Sequence, residues 1–289
     1  MRENIQTILV TGGGGLLGSE FREISLKTGS GAKKIITLKH QELDITDPYQ
    51  VDRAFGEIRP SYLINCAAYT NVDKAEVEAE KAEKINVAGA KILAQACEKS
   101  RVKLIHFSTH FVFDGKKTTP YLESDPVEPL NVYGRTKLEG ERIIQSLLPP
   151  DRHLILRVSW LYGKNGNNFI HSLWNASKDV SSVRVVDDQV AAPNPAPLLA
   201  KRTLDLLETG EGLFHFSCSG SCSRYELIRF LFSELKLSCK VIPISSGEFA
   251  SLAKRPAFSA MGSERTELLK AADLPLWQDA LRNYLAETR

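Results

Sequence analysis

The sequence predicts an α/β protein with a doubly wound parallel sheet and a smaller C-terminal lobe. Two observations favour this fold. Short runs of β-branched and apolar residues alternate with helical stretches over the first 160 of the 289 residues, which is the pattern of βαβ units. A cluster of glycines also stands directly after the first apolar run, where a strand would pass into a helix.

Five strands are predicted in this first part of the chain, because each apolar run is short and almost continuous. They cover residues 7–11, 34–38, 62–65, 103–107 and 153–158. Strands that are buried on both faces have this character. The sheet is therefore expected to carry helices on both sides.

Helices are predicted between these strands, at residues 16–27, about 78–99 and 132–147. Asp47-Pro48 indicates a further helix start, because a capping carboxylate precedes a proline at the first helical position. After Trp160 the alternation loosens, although residues 212–216 predict one more strand and residues 223–235 and 277–286 predict helices.

These patterns predict two parts of the chain. Residues 1–160 would form a dinucleotide-binding (Rossmann) domain, to which a strand near 212–217 returns. Residues 161–289 would mainly form a substrate-binding lobe over the carboxyl edge of the sheet, where open α/β sheets bind ligands.

The composition excludes several other classes of protein. The net charge is +2 and no run of lysine and arginine occurs, so we expect no nucleic-acid partner. No stretch approaches the ~18–20 apolar residues of a membrane span, and the N-terminus has no apolar signal region, so a cytoplasmic location is expected. Five scattered cysteines without a Cys-x-x-Cys pair predict neither disulfides nor a metal site.

The glycine cluster predicts a coenzyme site. Gly12-x-x-Gly15-x-x-Gly18 follows the first strand and opens the first helix. Glycines allow a tight turn and a close approach of the backbone, and the free N–H groups of a helix N-terminus bind a pyrophosphate. We therefore predict that Gly12, Gly15, Leu16 and Leu17 contact a dinucleotide.

The residues near the end of the second strand bear on the choice of coenzyme. Lys39-His40 stands where an acid would bind the ribose 2′-hydroxyl of NAD. Because a lysine favours a 2′-phosphate, the prediction is NADPH, with NADH left open. The other predicted cofactor-binding residues are Asp44 and Ile45 beside the adenine, and Ala67, Ala68 and Tyr69 after the third strand.

A tyrosine and a lysine one helical turn apart predict proton chemistry. Tyr133 and Lys137 share a helix face. A free tyrosine has a pKa of ~10, and a nearby ammonium would lower that pKa by stabilising the phenolate. Thr109, at the end of the fourth strand, would polarise a substrate carbonyl. Together with the coenzyme site, Thr109, Tyr133 and Lys137 predict hydride transfer at a carbonyl.

The chain resembles the extended short-chain dehydrogenase/reductase superfamily and, within it, the dTDP-4-dehydrorhamnose reductase family, nearly from end to end. The Trp160 segment and the Asp-Gln loop at 187–189 discriminate best within the superfamily. The matching segments are 11–18, 42–47, 65–76, 112–115, 129–137, 157–163, 167–169, 187–189 and 254–256.

This resemblance implies reduction of the C4 ketone of a nucleotide-linked 6-deoxysugar, dTDP-4-dehydrorhamnose, to dTDP-L-rhamnose. Tyr133 would protonate the new alkoxide, and Trp160 would stack on the thymine. The nucleotide sugar would be the partner, with a homodimer left open. The resemblance implies eight substrate-binding residues: Thr70, Val72, Thr109, His110, Phe111, Trp160, Asn168 and Arg255.

The chain departs from the family where His110 and Phe111 replace the usual Asp-Tyr pair. His110 would donate a replacement hydrogen bond, act as an acid near neutral pH, or simply pack in a loop. Two other functions stay open on the same fold. One is a nucleotide-sugar epimerase or dehydratase that retains NAD, and the other is a non-catalytic, NADP-binding regulatory subunit.

Overall fold

A computed structural model describes residues 6–28, 33–166 and 168–288 of the chain. Residues 1–5, expected to lead into the first strand, lie outside this part. Asn167, which belongs to one of the segments that carry the family resemblance, also lies outside it.

The centre of the molecule is a six-stranded parallel sheet with the strand order β10-β5-β4-β3-β1-β2. The predicted strands are confirmed, including the returning strand β10; β2 lies one residue earlier than predicted, and β4 continues to Thr109. Strand order reverses between β1 and β3, and ligands bind outside the carboxyl ends of strands at such a point. The strands are β1 (Gln6–Thr11), β2 (Lys33–Thr37), β3 (Tyr62–Asn65), β4 (Lys103–Thr109), β5 (His153–Val158), β6 (Leu161–Tyr162), β7 (Ser182–Val186), β8 (Val190–Ala191), β9 (Asn194–Pro195), β10 (Gly212–Phe216), β11 (Cys222–Ser223) and β12 (Lys240–Ile244).

The α-helices cover both faces of this sheet and also build a separate cluster after residue 160. They are α1 (Leu16–Thr28), α2 (Pro48–Ile58), α3 (Val72–Ala75), α4 (Ala79–Glu83), α5 (Ala90–Ser100), α6 (Val132–Leu147), α7 (Phe169–Ala176), α8 (Ala196–Asp205), α9 (Arg224–Glu234), α10 (Thr266–Ala272) and α11 (Trp277–Thr288). Asp47 caps α2 as predicted, since its carboxylate accepts from the N–H groups of Tyr49 and Gln50. Asn131 caps α6 in the same way, through the N–H of Gly134 at 2.8 Å.

The predicted helix over 78–99 was wrong in one respect. A π-helical turn at Lys84–Gly89 separates α4 from α5. Its buried Asn86 accepts from the Tyr69 N–H at 2.9 Å and donates to the Thr136 hydroxyl at 3.0 Å. The widened turn thus ties the loop after β3 to α6. Such turns often occur at functional sites.

Alternate residues of the central strands supply two separate cores. Ile8 and Val10 pack with α1 and α8 on one face, whereas Leu9 packs with α2, α5 and α6 on the other. This two-residue period is the reason for the two helix layers.

A third cluster joins α7, α9 and α11 with the parallel strands β7 and β12. These two strands were not predicted from the sequence. However, α8 and β10 pack on the main sheet, so residues after 160 contribute to both parts. The domain boundary at residue 160 stays a prediction. Across the described ranges, every helix is too short or too polar to span a bilayer.

Candidate active site

A cavity of about 390 Å³ opens at the carboxyl ends of β4 and β5, beside the glycine turn after β1. Most of the predicted site residues line it, although they come from six separate segments of the chain. They are Gly15, Leu16, Leu17, Ala68, Thr70, Val72, Thr109, His110, Phe111, Tyr133, Lys137, Trp160 and Asn168.

The remaining predicted residues lie outside the lining of this cavity: Gly12, Lys39, Asp44, Ile45, Ala67, Tyr69 and Arg255. A larger cavity of about 500 Å³ lies between α1, α8 and α11, and none of the predicted site residues lines it. The predicted catalytic residues and most of the predicted binding residues therefore lie together around the 390 Å³ cavity.

The glycine turn has its shape because side chains would not fit. Gly12 has φ +68°, and a Cβ there would stand 2.6 Å from the Ala67 nitrogen; a Cβ at Gly18 would overlap the Gly12 carbonyl. The N–H of Gly15 closes the turn on that carbonyl at 2.9 Å. The close packing holds the N-terminus of α1 against the cavity wall, which suits a pyrophosphate.

The loop after β2 carries three more of the predicted coenzyme-binding residues, Lys39, Asp44 and Ile45. The exposed Lys39 side chain lies over Gly14, where an added Cβ would be 3.7 Å from the lysine Cγ. Asp44 accepts two hydrogen bonds of 2.9 Å from Thr46; these lower its pKa although burial alone would raise it. Ile45 packs into the core beside α5. The coenzyme contacts of these residues stay predictions.

The loop after β3 presents small residues to the cavity. Ala68 lines the cavity, and the Ala67 N–H donates to Asn65 Oδ1 at 3.1 Å. Tyr69 is turned aside, because its hydroxyl donates to Glu78 Oε2 at 3.0 Å. Its backbone N–H donates to Asn86, and the coenzyme contact of Tyr69 stays a prediction.

Tyr133 stands at the start of α6, facing the end of β4. Gly134 lets the helix approach this closely, since a Cβ there would overlap the Phe111 carbonyl. Burial raises the pKa of the Tyr133 phenol above its ordinary value, and a hydrogen bond from Thr109 only partly offsets this. The phenol therefore keeps its proton at neutral pH. That Lys137 lowers this pKa by stabilising the phenolate stays a prediction.

The Lys137 amine instead contacts His106, with 3.1 Å between Nζ and Nε2. His106 is the last of three polar residues that lie side by side on neighbouring strands. The strand register pairs Thr11 of β1 with Asn65 of β3, and Asn65 with His106 of β4. The Thr11 hydroxyl donates to Asn65 Oδ1 at 2.6 Å, and Asn65 Nδ2 lies 3.1 Å from His106 Nδ1. The row ends at the cavity wall.

This row fixes the protons of His106. Asn65 Oδ1 accepts from two donors, Thr11 and the Ala67 N–H, so Nδ2 must donate to His106 Nδ1. The ring proton is then on Nε2, pointing at Lys137. Only a neutral amine accepts that proton, so this contact disfavours the protonated form of Lys137. Burial likewise lowers the pKa of Lys137 to about 8, although the Glu141 carboxylate raises it.

His110 and Phe111 occupy the cavity wall directly after β4. The Nδ1 of His110 lies 3.2 Å from the Val158 carbonyl oxygen, and burial lowers the pKa of the ring to about 3. His110 is therefore neutral, and its proposed action as an acid near neutral pH was wrong. The Phe111 ring contacts Tyr133 edge-on, with 5.8 Å between centroids.

Trp160 and Asn168 line the far end of the cavity. Trp160 has φ +37°, a conformation that is unfavourable for a bulky residue and that tends to occur at functional sites. Asn168 caps α7 and donates to the Gly163 carbonyl at 2.8 Å. Its side chain is thus engaged in holding the loop.

Arg255 is held by an acid of this chain. It pairs with Asp73 at 2.6 Å, and this hydrogen bond holds the pKa of Asp73 far below its ordinary value. A carboxylate of the chain therefore already engages the guanidinium, and a ligand contact of Arg255 stays a prediction.

Sequence reasoning missed Asn65 and His106, and it also missed Arg224, whose guanidinium lies 4.6 Å from the centroid of the Trp160 ring. The available signal was a polar residue at the end of an apolar run for Asn65 and within one for His106. No comparable signal marks Arg224, which lies at the start of α9, a helix of the third cluster.

Comparison with known proteins agrees with this geometry. The family described as RmlD substrate binding domain matches residues 6–289. The spore coat polysaccharide biosynthesis protein SpsK of Bacillus subtilis (strain 168) is 35% identical over 97% of each chain. The dTDP-4-dehydrorhamnose reductase of Aggregatibacter actinomycetemcomitans is 34% identical, over 96% of this chain and 98% of that protein.

A solved structure extends the likeness to three dimensions. It is a dTDP-4-dehydrorhamnose reductase from Bacillus anthracis strain Ames in complex with NADP; it is 34% identical and covers 98% of this chain and 99% of its own, with a TM-score of 0.91. The chain therefore belongs to the RmlD substrate-binding domain family, the family of the dTDP-4-dehydrorhamnose reductases that it resembles.

Proposed function

We propose that the protein is an NADPH-dependent reductase of the C4 ketone of dTDP-4-dehydrorhamnose, forming dTDP-L-rhamnose. One observation carries this proposal: the Tyr133 phenol, Thr109 and the buried Lys137 line a single cavity together with the glycine turn. Two supports come from the relatives, namely the reductase names and the NADP held by the Bacillus anthracis protein.

The residues around the glycine turn fit a dinucleotide. The packed glycines leave the α1 N-terminus facing the cavity, and Lys39 lies over the turn as a cation for a 2′-phosphate. In this proposal the coenzyme-binding residues are Gly12, Gly15, Leu16, Leu17, Lys39, Asp44, Ile45, Ala67, Ala68, Tyr69, Tyr133 and Lys137.

The reaction needs a hydride at the ketone carbon and a proton at the ketone oxygen. Bound NADPH supplies the hydride. Thr109 and Tyr133 donate to the oxygen, and the Tyr133 proton moves to it as the alkoxide forms. Lys137, while protonated, stabilises the phenolate that remains and holds the ribose hydroxyls. The apolar wall with Phe111 excludes water from the exchange.

The substrate would extend from this point towards Trp160. The indole offers a large flat contact to the base at small entropic cost. The sugar would lie among Thr70, Val72, His110 and Phe111, with Asn168 near the sugar or the diphosphate. Arg255 remains a proposed substrate-binding residue, although its guanidinium already pairs with Asp73.

An oxidation assay tests this function. The full chain is mixed with NADPH and the dTDP-linked 4-keto-6-deoxysugar, and the absorbance of reduced nicotinamide is followed; NADH and the UDP-linked sugar are run in parallel. We expect oxidation, fastest with NADPH and the dTDP sugar. Absence of oxidation in all four combinations would contradict the proposal and favour the regulatory-subunit alternative.

Three further expectations accompany the proposal. They are a cytoplasmic location, a homodimer as an open option, and the division of the chain near residue 160. Cell fractionation tests the first, and light scattering of the purified chain tests the second.

The protonation of Lys137 predicts a pH limit. Because the pKa of Lys137 is lowered to about 8, we expect kcat/KM to fall as pH rises through that value. Replacing Asn65 with aspartate should raise the limit by about one pH unit, the shift that a nearby opposite charge typically causes. An aspartate only accepts from His106 Nδ1, which leaves Nε2 to accept from protonated Lys137.

The control for this shift is Asn168→Asp, which adds the same charge to the cavity wall away from His106. We expect it to move the pH limit less than Asn65→Asp does. An identical limit in wild type and Asn65→Asp would contradict the assigned proton positions.

A further inference from the structure

Arg224 stands at the first position of α9, next to the Trp160 wall of the active-site cavity. Its guanidinium lies 4.6 Å from the ring centroid of Trp160 and 4.7 Å from that of Phe169. All three residues also line a small cavity of about 150 Å³. The two aromatic rings fix the plane of the guanidinium through cation–π contacts.

The charge of Arg224 has no counter-charge within the described part of the chain. Among the described residues the guanidinium donates one hydrogen bond, from Nε to Gln189 Oε1 at 3.0 Å, and no carboxylate there lies within ion-pair distance. Burial and the neighbouring charge of Arg255 lower the pKa of Arg224 to about 10. Arg224 is half-buried, and even partial burial of a cation without a partner costs free energy that an anionic ligand would offset.

Arg255 shows the contrast. Its guanidinium lies close enough to affect Arg224, but Asp73 binds it at 2.6 Å and 3.2 Å. Of the two arginines, Arg224 therefore keeps its Nη donors available. A guanidinium presents these N–H groups as a planar fork that matches two phosphate oxygens.

We propose that Arg224 binds the diphosphate of the nucleotide-sugar substrate, an inference that rests on the proposed function. The position favours the substrate over the coenzyme. Arg224 lies on α9 beside Trp160, the residue proposed to stack on the base, whereas the coenzyme pyrophosphate is assigned to the glycine turn at the N-terminus of α1. Gln189 and the two rings hold Arg224 ready for this contact.

Calorimetric binding to the full chain tests the assignment, with dTDP, thymidine and inorganic pyrophosphate as probes. We expect Arg224→Gln to weaken dTDP binding by about 10- to 100-fold, the range for losing hydrogen bonds to a charged group. Thymidine should change by less than about threefold, since the base contact remains. Arg224→Lys should weaken dTDP binding by an intermediate factor, because lysine keeps the positive charge but lacks the planar pair of N–H donors.

A matched control removes a cation outside the site. The double variant Arg184→Gln with Glu248→Gln deletes an exposed ion pair at constant net charge, and we expect dTDP binding to stay within about threefold of wild type. If Arg224→Gln does not fold, Arg224→Lys decides: dTDP binding must weaken at least about threefold with thymidine unchanged.

Two results would overturn the assignment. One is dTDP binding by the Arg224 variants as tight as in wild type, and the other is an equal loss of dTDP and thymidine, which would make Arg224 only a support for Trp160. A failure of the proposed function can be distinguished from a failure of the Arg224 assignment. If wild type binds pyrophosphate through Arg224 but not dTDP, the anion site stands and the nucleotide substrate is wrong.

Discussion

Tyr133→Phe is expected to lower kcat for ketone reduction by about 10²- to 10⁴-fold, the usual contribution of a positioned proton donor. The phenylalanine ring fills the same space between Thr109 and Phe111, but it has no proton for the alkoxide oxygen. NADPH affinity should change little, because Lys137 and the glycine turn remain. Single-turnover NADPH oxidation and coenzyme titration measure the two quantities separately.

A second buried tyrosine provides the control. Tyr162 is 1% exposed, and its hydroxyl has no hydrogen-bond partner among the described residues. Tyr162→Phe should leave kcat within about threefold of wild type, since the proposed reaction makes no use of that hydroxyl. Equal kcat in wild type and Tyr133→Phe would remove the phenol from the mechanism.

The second large effect concerns stability beneath the active site. Glu141 on α6 and Arg157 on β5 are 1% and 3% exposed and form an ion pair with an Nη2–Oε2 distance of 2.7 Å. Ser108 also donates to Glu141. Glu141→Leu would leave the guanidinium buried without a counter-charge. We expect the free energy of unfolding to fall by about 3–5 kcal/mol, measured by denaturant titration.

An exposed pair with the same distance is the control. Arg184 and Glu248 also lie 2.7 Å apart, but each is more than half exposed, so Glu248→Leu should cost at most about 1 kcal/mol. Replacing Glu141 and Arg157 together with apolar residues should restore most of the lost stability, because no charge then stays buried. A loss below about 1 kcal/mol for Glu141→Leu would contradict the burial of this pair.

Local patterns were sufficient for the central sheet. The apolar runs of β3, β5 and β10 and the helix α6 have the predicted bounds, because each signal lies within a few consecutive residues. The pair β7 and β12 was missed, since it joins segments more than 50 residues apart with weak apolar runs. The π-helical turn at Lys84–Gly89 was missed because its partner, the loop at Tyr69, is not local either.

The polar rows of the sheet show the same limit at the site. Strand register aligns Ser108 with Arg157 and Arg157 with His215, as it aligns Thr11, Asn65 and His106. Register follows from the whole sheet, so a linear pattern does not reveal which polar residues meet.

The catalytic candidates were easier to recognise, because the spacing of Tyr133 and Lys137 already places them on one helix face. What that spacing did not reveal was the direction of the amine. Lys137 points to His106 instead of the phenol.

The most direct test of the account is a crystal structure of the full chain with NADP and dTDP-L-rhamnose. We expect the pyrophosphate of NADP at the N-terminus of α1 and sugar C4 between the nicotinamide C4 and the Tyr133 hydroxyl, with reacting atoms about 3–3.5 Å apart. A Tyr133 hydroxyl turned away from the sugar, or a nicotinamide ring outside the cavity of Thr109 and Lys137, would contradict it.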